Sequence, residues 1–211
     1  MSLIMTETEP LTRSQNETTT LPPLPSGVLR ARSLVTGGLS RQRIKEMTDA
    51  GDLLRLGRGL YSLPDSSVTE NHDLAQVAVR VPQGVVCLTS ALQFHGLTTA
   101  SPWRVHLLLP RGSRPPKIEH PPLSVMYASE ESYGAGIEEQ VIEGVPVRVT
   151  SVAKTLADCF KYRSKIGLDV ALEALKQTLE ERRVTRTEIR KFAKICRVEN
   201  VMRPYVEALS L

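Results

Sequence analysis

The spacing of hydrophobic and polar residues divides the chain into three regions. The first, residues 1–24, is polar and rich in threonine, ends among prolines, and shows neither the helical period of about 3.6 residues nor the strand period of about 2. Such a segment buries too little apolar surface to offset the entropy lost on folding. We therefore predict a disordered arm and linker over residues 1–24.

The second region begins with the signals of two short helices. A short strand at residues 27–29 and a helix at 31–35 precede Gly37 and Gly38, a pair that adopts positive φ at little cost. Ser40 then stands where a helix N-cap is expected. In the following helix, residues 41–50, the apolar side chains of Ile44 and Met47 share one face, and Gly51 supplies the C-terminal cap.

A hairpin follows these helices directly. Two apolar runs, residues 53–56 and 60–63, flank the sequence Gly57-Arg58-Gly59, which favours a tight turn between two strands. Two helices followed by a hairpin with an arginine at its tip are typical of a winged helix. We therefore predict a winged helix-turn-helix DNA-binding domain over residues 25–64.

The third region, residues 65–211, mixes helical and strand periods without internal repeats. We predict helices at residues 70–80, 91–96, 152–162 and 168–182, a helix that a Thr185–Glu188 capping box opens and that ends near Cys196, and a short one around Tyr205. The predicted strands are residues 85–88, 104–109, 123–127, 139–142 and 145–150. The fold class is therefore α+β, with a winged helix-turn-helix followed by a mixed-sheet domain and a C-terminal helical bundle.

Composition agrees with a globular chain. Of 211 residues, 41% are hydrophobic and 24% charged, which excludes collagen, coiled coil and disorder throughout. No apolar run reaches the roughly 20 residues of a membrane span, and the N-terminus does not resemble a signal peptide, so we expect a cytoplasmic protein. Cys87, Cys159 and Cys196 lie far apart among apolar neighbours, which predicts reduced core residues.

The positive charge is concentrated in the predicted winged helix. The chain has a net charge of +4, and residues 26–64 alone hold seven basic against three acidic residues. The remainder is net negative before this stretch and close to neutral after it. A short basic module suits an anionic partner, and double-stranded DNA is the partner that the order of elements predicts.

The helix at residues 41–50 is expected to enter the major groove, since its first turns meet base edges in this type of domain. Arginine pairs with guanine and glutamine with adenine through two hydrogen bonds each. The predicted base-reading residues, on the face opposite Ile44 and Met47, are Arg41, Gln42 and Lys45. The predicted phosphate-binding residues are Arg30, Arg32, Arg43, Arg55 and Arg58. Glu46 and Asp49 on the same helix favour the alternative of a solvated face on a packing or protein-binding module.

Enzymatic alternatives have weaker signals. The four histidines are isolated and the cysteines form no ligand pair, so neither a metal site nor another cofactor is expected. A triad of Cys87, His95 and Asp158 lacks a nucleophile elbow, and core packing accounts better for these residues. The acidic pairs Glu130-Glu131 and Glu138-Glu139 leave open a metal-dependent nuclease or nucleotidyltransferase with a DNA-targeting head, although a solvated rim is the simpler interpretation.

Three segments in this order carry a resemblance to a known family. LLRLGRGLY at residues 53–61, LTSALQFHGL at 88–97 and VTSVAKTLAD at 149–158 resemble the AbiEi-type antitoxins of type IV toxin-antitoxin systems, which act in phage defence, and the likeness covers residues 27–209. It implies a winged-helix repressor that binds inverted repeats in its own promoter, fused to an α+β antitoxin domain. It also implies a nucleotidyltransferase-like toxin that is neutralised without a stable complex, and an antitoxin that is not itself an enzyme.

Five positions within these segments are interpreted as structural. They are Ser90, His95, Lys154, Thr155 and Asp158. We expect His95 to bind a carbonyl at the end of a short helix, and Asp158 to pair with Lys154 one helical turn earlier.

Overall fold

The computed structural model describes residues 24, 27–65, 69–100 and 102–209. The arm predicted at residues 1–24 lies outside these residues except for Leu24. Ten helices and two β-sheets are found in the described part of the chain. None of these helices is long and apolar enough to cross a membrane.

The N-terminal unit consists of two helices and a three-stranded sheet. Its elements are β1 (Leu29–Arg30), α1 (Ala31–Thr36), α2 (Arg41–Ala50), β2 (Leu54–Gly57) and β3 (Leu60–Ser62). The sheet order is β1-β3-β2, with both pairs antiparallel, so β1 pairs with β3, the second strand of the hairpin. A small core fills the space between helices and sheet, formed by Leu29, Leu34, Leu39, Ile44, Met47 and Leu53.

Local signals explain why α2 begins and ends where it does. The Ser40 hydroxyl accepts a hydrogen bond from the Arg43 N–H over 3.0 Å, as an N-cap does. At the other end Gly51 has a φ of +84°, a left-handed conformation that glycine adopts without steric cost. The predicted helix over residues 41–50 is confirmed with its predicted bounds.

The larger unit is mixed α/β. Its elements are α3 (His72–Arg80), β4 (Val85–Val86), α4 (Leu88–Phe94), β5 (Val105–Pro110), β6 (Leu123–Ala128), α5 (Glu130–Gly134), β7 (Ile137–Ile142), β8 (Val145–Thr150), α6 (Val152–Lys161), α7 (Arg163–Ile166), α8 (Leu168–Glu180), α9 (Arg186–Ile195) and α10 (Glu199–Ala208). The five-stranded sheet has the order β6-β5-β4-β8-β7. The pairs β5–β6 and β4–β8 are parallel and the others antiparallel, so the predicted mixed sheet is confirmed.

The sheet lies between two hydrophobic cores because successive strand residues point to opposite faces. In β5, Leu108 packs in the core that the C-terminal helices α6, α8 and α9 cover. Leu107 and Leu109 pack instead in the second core, against α3 and against residues of β7 and β8. All three cysteines are buried and unpaired, which confirms that they are reduced core residues.

Several predicted bounds are wrong, and the start of α4 has a clear physical reason. The helix expected at residues 91–96 is α4, which begins at Leu88 with Cys87 as its N-cap, so the strand before it is only two residues long. Leu88 is fully buried at a φ of +49°, so tertiary packing places the start of the helix three residues earlier than the local pattern predicts. The short helix α5 was not predicted, and the final helix, α10, is ten residues long.

Glu143 connects the N-terminal unit to the larger one. Its carbonyl accepts a hydrogen bond from the Val28 N–H over 3.3 Å. Its carboxylate accepts from the Thr69 N–H and hydroxyl over 2.8 and 2.9 Å and contacts His72 Nδ1 at 2.7 Å. Burial acts to raise the pKa of Glu143, but the bonds from Thr69 and His72 lower it overall. Val28 of the N-terminal unit and Thr69 and His72 of the larger unit are therefore bound to one residue in the turn between β7 and β8.

Candidate nucleic-acid interface

The exposed face of α2 presents the three predicted base-reading side chains. Ile44 and Met47, only 4% and 2% exposed, direct the opposite face into the core of the N-terminal unit. Arg41, Gln42 and Lys45 are consequently exposed to solvent. Such a face can reach the edges of base pairs, since an α-helix fits the width of the major groove.

Glu46 modifies this face. Its carboxylate accepts hydrogen bonds from Gln42 Nε2 over 3.1 Å and from an Arg43 guanidinium nitrogen over 3.3 Å. The Arg43–Glu46 ion pair is about half exposed, so it is weak and easily exchanged. Arg41 and Lys45 take part in no ion pair with the described residues. Two cations on this face are therefore available to an anionic partner without breaking an existing bridge.

Of the five predicted phosphate-binding arginines, Arg43 lies on α2 itself and the other four lie on other elements. Arg30 ends β1, Arg32 lies in the first turn of α1, and Arg55 stands opposite Tyr61 in the hairpin. Arg58 lies in the turn between β2 and β3, next to Gly59 with a φ of +72°. All eight predicted interface residues are exposed. The structure thus places them on the surface of one small unit.

A groove beside the hairpin adds basic residues that the sequence-based prediction missed. It has a volume of about 360 Å³ and is lined by Arg58, Arg80, Val81, Gln83, Arg114, Pro116, Lys117 and Ile118. Four of these are cations, and among the described residues that line the groove none is acidic. Residues 111–117 contain three basic and no acidic residue, and this run is the signal by which the loop could have been found.

Arg80 contacts two other segments beside this groove. Its guanidinium donates to the carbonyl of His120 over 2.5 Å and lies so close to Gly57 that a side chain there would collide with it. Burial lowers the pKa of Arg80, while Asp73 acts in the opposite direction. The hairpin, α3 and the proline-rich loop before β6 therefore meet around one cation, which places Arg58 near Arg114 and Lys117.

Of the five residues interpreted as structural, Ser90, Lys154, Thr155 and Asp158 are buried in the larger unit, and His95 is partly buried. Lys154 and Asp158 are buried and form the predicted ion pair at 2.5 Å, and the Cys196 thiol donates to the other Asp158 oxygen over 3.3 Å. Burial acts to lower the pKa of Lys154, but the Asp158 carboxylate and the neighbouring thiols raise it overall. Burial raises the pKa of Cys196 to about 11, so its thiol is a poor nucleophile.

The triad considered from the sequence is not assembled. His95, the C-cap of α4, donates from Nε2 to the carbonyl of Thr150 over 2.7 Å, so the carbonyl that its side chain binds lies at the end of β8 and not, as expected, at the end of its own helix. Among the described residues no hydrogen bond joins Cys87, His95 and Asp158 to one another. Burial raises the pKa of Cys87 far above its ordinary value of 9.0. Core packing accounts for Cys87, the ion pair with Lys154 for Asp158, and the bond to Thr150 for His95.

The acidic pairs do not form a metal centre on the described surface. Glu130 and Glu131 begin α5, whereas Glu138 and Glu139 are consecutive in β7 and so point to opposite faces of the strand. No group of three or more potential ligands among histidine, cysteine, aspartate and glutamate is found in the part of the chain that the structure describes.

Comparison with known proteins gives a fold neighbour. No protein-family model matches the chain, and no curated protein matches it. Among solved structures, the chain is similar to the crystal structure of the RV2827C protein from Mycobacterium tuberculosis, with a TM-score of 0.56 and 12% sequence identity. The match covers 86% of this chain and 76% of that chain. The chain therefore shares its α/β fold with a mycobacterial protein.

Proposed function

We propose that residues 25–64 form a winged helix-turn-helix domain that binds double-stranded DNA. The observation that carries the proposal is the placement of exposed cations around α2 and the hairpin turn, on a unit built as strand, two helices and hairpin. In this arrangement α2 lies in the major groove, where Arg41, Gln42 and Lys45 meet base edges. Arg58 in the wing reaches the adjacent backbone or minor groove.

Phosphate contacts supply most of the affinity in this mechanism. Arg43 lies on α2, Arg30, Arg32 and Arg55 lie on β1, α1 and β2, and the groove beside Arg58 extends the basic surface to the loop before β6. Each neutralised phosphate releases condensed counterions, so binding weakens steeply as the salt concentration rises. Bound to a promoter, the protein represses transcription by physical occlusion.

The antitoxin part of the proposal rests on the resemblance to AbiEi-type antitoxins. We infer that the larger unit neutralises a nucleotidyltransferase-like toxin without a stable complex, and that the protein is a cytoplasmic, non-enzymatic regulator of its own operon. Two of the segments that resemble the antitoxin family, residues 88–97 and 149–158, contact each other through the bond from His95 to Thr150 and the packing of α4 on α6. This contact makes them part of one folded core, as a shared domain requires.

The DNA-binding step is tested by gel shift and footprinting on the DNA upstream of the protein's own gene. Protection of inverted repeats is expected, with affinity that falls as salt rises. Arg58→Ala should weaken all DNA sequences alike, whereas Arg41→Ala should change sequence preference. The control is Arg182→Ala, an exposed arginine after α8 that should leave binding unchanged. No shift at low salt, or an Arg41→Ala/Arg58→Ala protein that binds normally, would refute this docking.

The antitoxin step needs a separate test in cells. Co-expression with a nucleotidyltransferase encoded in the same operon should restore growth that the enzyme alone arrests. The Arg41→Ala/Arg58→Ala protein should still restore growth, because neutralisation is assigned to the larger unit. A chain that never relieves the growth arrest contradicts the antitoxin assignment but leaves DNA binding intact.

A further inference from the structure

A second basic groove lies at the carboxyl ends of two parallel strands. β5 and β6 run parallel in register, and the Arg111 N–H after β5 donates to the carbonyl of Ala128 at the end of β6 over 2.8 Å. Here α6, α7, α9 and α10 leave a groove of about 610 Å³. In open α/β sheets ligands commonly bind outside the carboxyl ends of the parallel strands.

The lining of this groove has one sign of charge. It includes Arg111, Lys161, Arg163 and Arg197, contributed by three segments of the chain, and none of the described residues that line it is acidic. None of the four takes part in an ion pair with the described residues. Glu130 and Glu131 lie just beyond Ser129 but do not line the groove. Like charges gathered in a concavity repel one another unless an anion joins them.

Arg197 stands where glycine would be the easier residue. It follows α9 with a φ of +60°, its N–H donates to Lys194 over 2.9 Å, and the next N–H, of Val198, donates to Ala193 over 2.8 Å. This is the motif in which helices commonly end on glycine. At this position the Arg197 side chain adds a cation to the lining of the groove.

Two tyrosines complete the lining. The Tyr162 hydroxyl donates to the carbonyl of Tyr127 over 3.3 Å, and Tyr127 is itself 38% exposed. Burial raises the pKa of Tyr162 to about 12, so its hydroxyl stays protonated and remains a donor. Aromatic faces beside cations can stack on a planar base.

We propose that this groove binds a small ligand with two or more phosphates, the class that includes nucleoside di- and triphosphates. Four cations match a polyphosphate, arginine forks bind phosphate oxygens through paired hydrogen bonds, and the volume is that of a small-molecule site. The site shares no lining residue with the groove beside Arg58, so it does not depend on DNA binding.

The test is isothermal titration calorimetry of the full chain, without DNA and at physiological salt, with ATP, AMP and tripolyphosphate. Arg197→Gly removes a cation and relieves the positive φ, so lost binding cannot be attributed to misfolding. We expect it to weaken binding by about tenfold or more, as for loss of a charged hydrogen bond. The matched control is Arg182→Gly. Arg182 has a φ of +53° in the same helix-ending motif after α8 but does not line the groove.

A comparison of the three affinities shows whether the site recognises a nucleotide or the polyphosphate group alone. Tighter binding of ATP than of tripolyphosphate would assign the site to nucleotides, and equal binding would assign it to the polyphosphate group alone. Both outcomes support the proposal if AMP binds weakly and Arg182→Gly binds normally. No binding of ATP or tripolyphosphate overturns it, as does equal weakening by Arg182→Gly and Arg197→Gly, which would indicate non-specific attraction.

Discussion

Gly27 packs directly against the backbone of Glu143. A Cβ atom at Gly27 would overlap the Glu143 carbonyl oxygen, the same atom that accepts the Val28 N–H, and Gly27 has a φ of +102°. The position therefore requires glycine both for its conformation and for its close approach. Through this contact the basic N-terminal unit packs against the turn between β7 and β8.

Gly27→Ala is expected to loosen the N-terminal unit. The left-handed conformation alone costs an alanine about 1–2 kcal/mol, and the overlap with Glu143 adds to this cost. The control is Gly38→Ala, at a φ of +100° with nothing within 4 Å of the added carbon. Urea unfolding and limited proteolysis should show a larger loss for Gly27→Ala. Equal losses in the two variants would mean that the contact with Glu143 contributes nothing.

The buried Lys154–Asp158 pair should behave as one unit in a double-mutant cycle. Asp158→Leu or Lys154→Met leaves one buried group without its partner and is expected to lower the free energy of unfolding by about 3–5 kcal/mol. The double variant Lys154→Met/Asp158→Leu should lose much less than the sum of the single losses. Urea denaturation measures all four proteins. Additive losses would show that the two side chains act independently despite their 2.5 Å contact.

How much of the fold can be predicted depends on how local the signals are. The helix Arg41–Ala50 is set by Ser40, Gly51 and two core residues within one segment, so its bounds follow from the sequence. The strand order β6-β5-β4-β8-β7 depends on contacts between distant segments, which no local pattern specifies. The start of α4 at Leu88, with its positive φ, is likewise decided by burial.

The residues of the candidate interface also differ in how far the local sequence predicts them. Arg41, Lys45 and Arg58 could be named from helix spacing and turn chemistry. Arg80 could not, because it reaches Gly57 and His120 only through the folding of three separate segments. The groove that contains Arg114 and Lys117 follows from those contacts.

The groove beside the hairpin should contribute to the salt dependence of DNA binding. Arg114→Gln/Lys117→Gln removes two cations from a loop outside the predicted winged helix. If DNA reaches this loop, affinity should fall for every sequence and the slope of log affinity against log salt should decrease by about 2. Lys176→Gln/Lys191→Gln, with both lysines exposed on α8 and α9, is the control. An unchanged slope would confine the footprint to the N-terminal unit.

The stability of the larger unit should decrease in mildly acidic solution. Burial lowers the pKa of His95 below its ordinary value of 6.5, although the bond to Thr150 and the charge of Glu138 oppose this. Neutral His95 therefore stabilises the fold fully above pH 6.5, and that contribution is lost as the pH falls through its lowered pKa. His106 acts in the same direction, again mainly through burial. Urea unfolding at about pH 7.5 and about pH 5.5 should give a smaller difference for His95→Gln than for the unmodified chain, and an unchanged difference would contradict this assignment.

Glu46 is expected to limit DNA affinity. Its carboxylate accepts bonds from Gln42 and Arg43 and faces the surface that would meet phosphates, so a bound duplex must overcome both the bonds and the repulsion. Glu46→Gln should therefore tighten binding by about threefold to tenfold, chiefly at low salt, where charge repulsion is least screened. Fluorescence anisotropy with a labelled duplex measures the change. Glu180→Gln, on α8 and paired with Lys176, is the control and should leave affinity unchanged. Weaker binding by Glu46→Gln would instead make the carboxylate a positioning residue that holds Gln42 and Arg43 in a binding conformation.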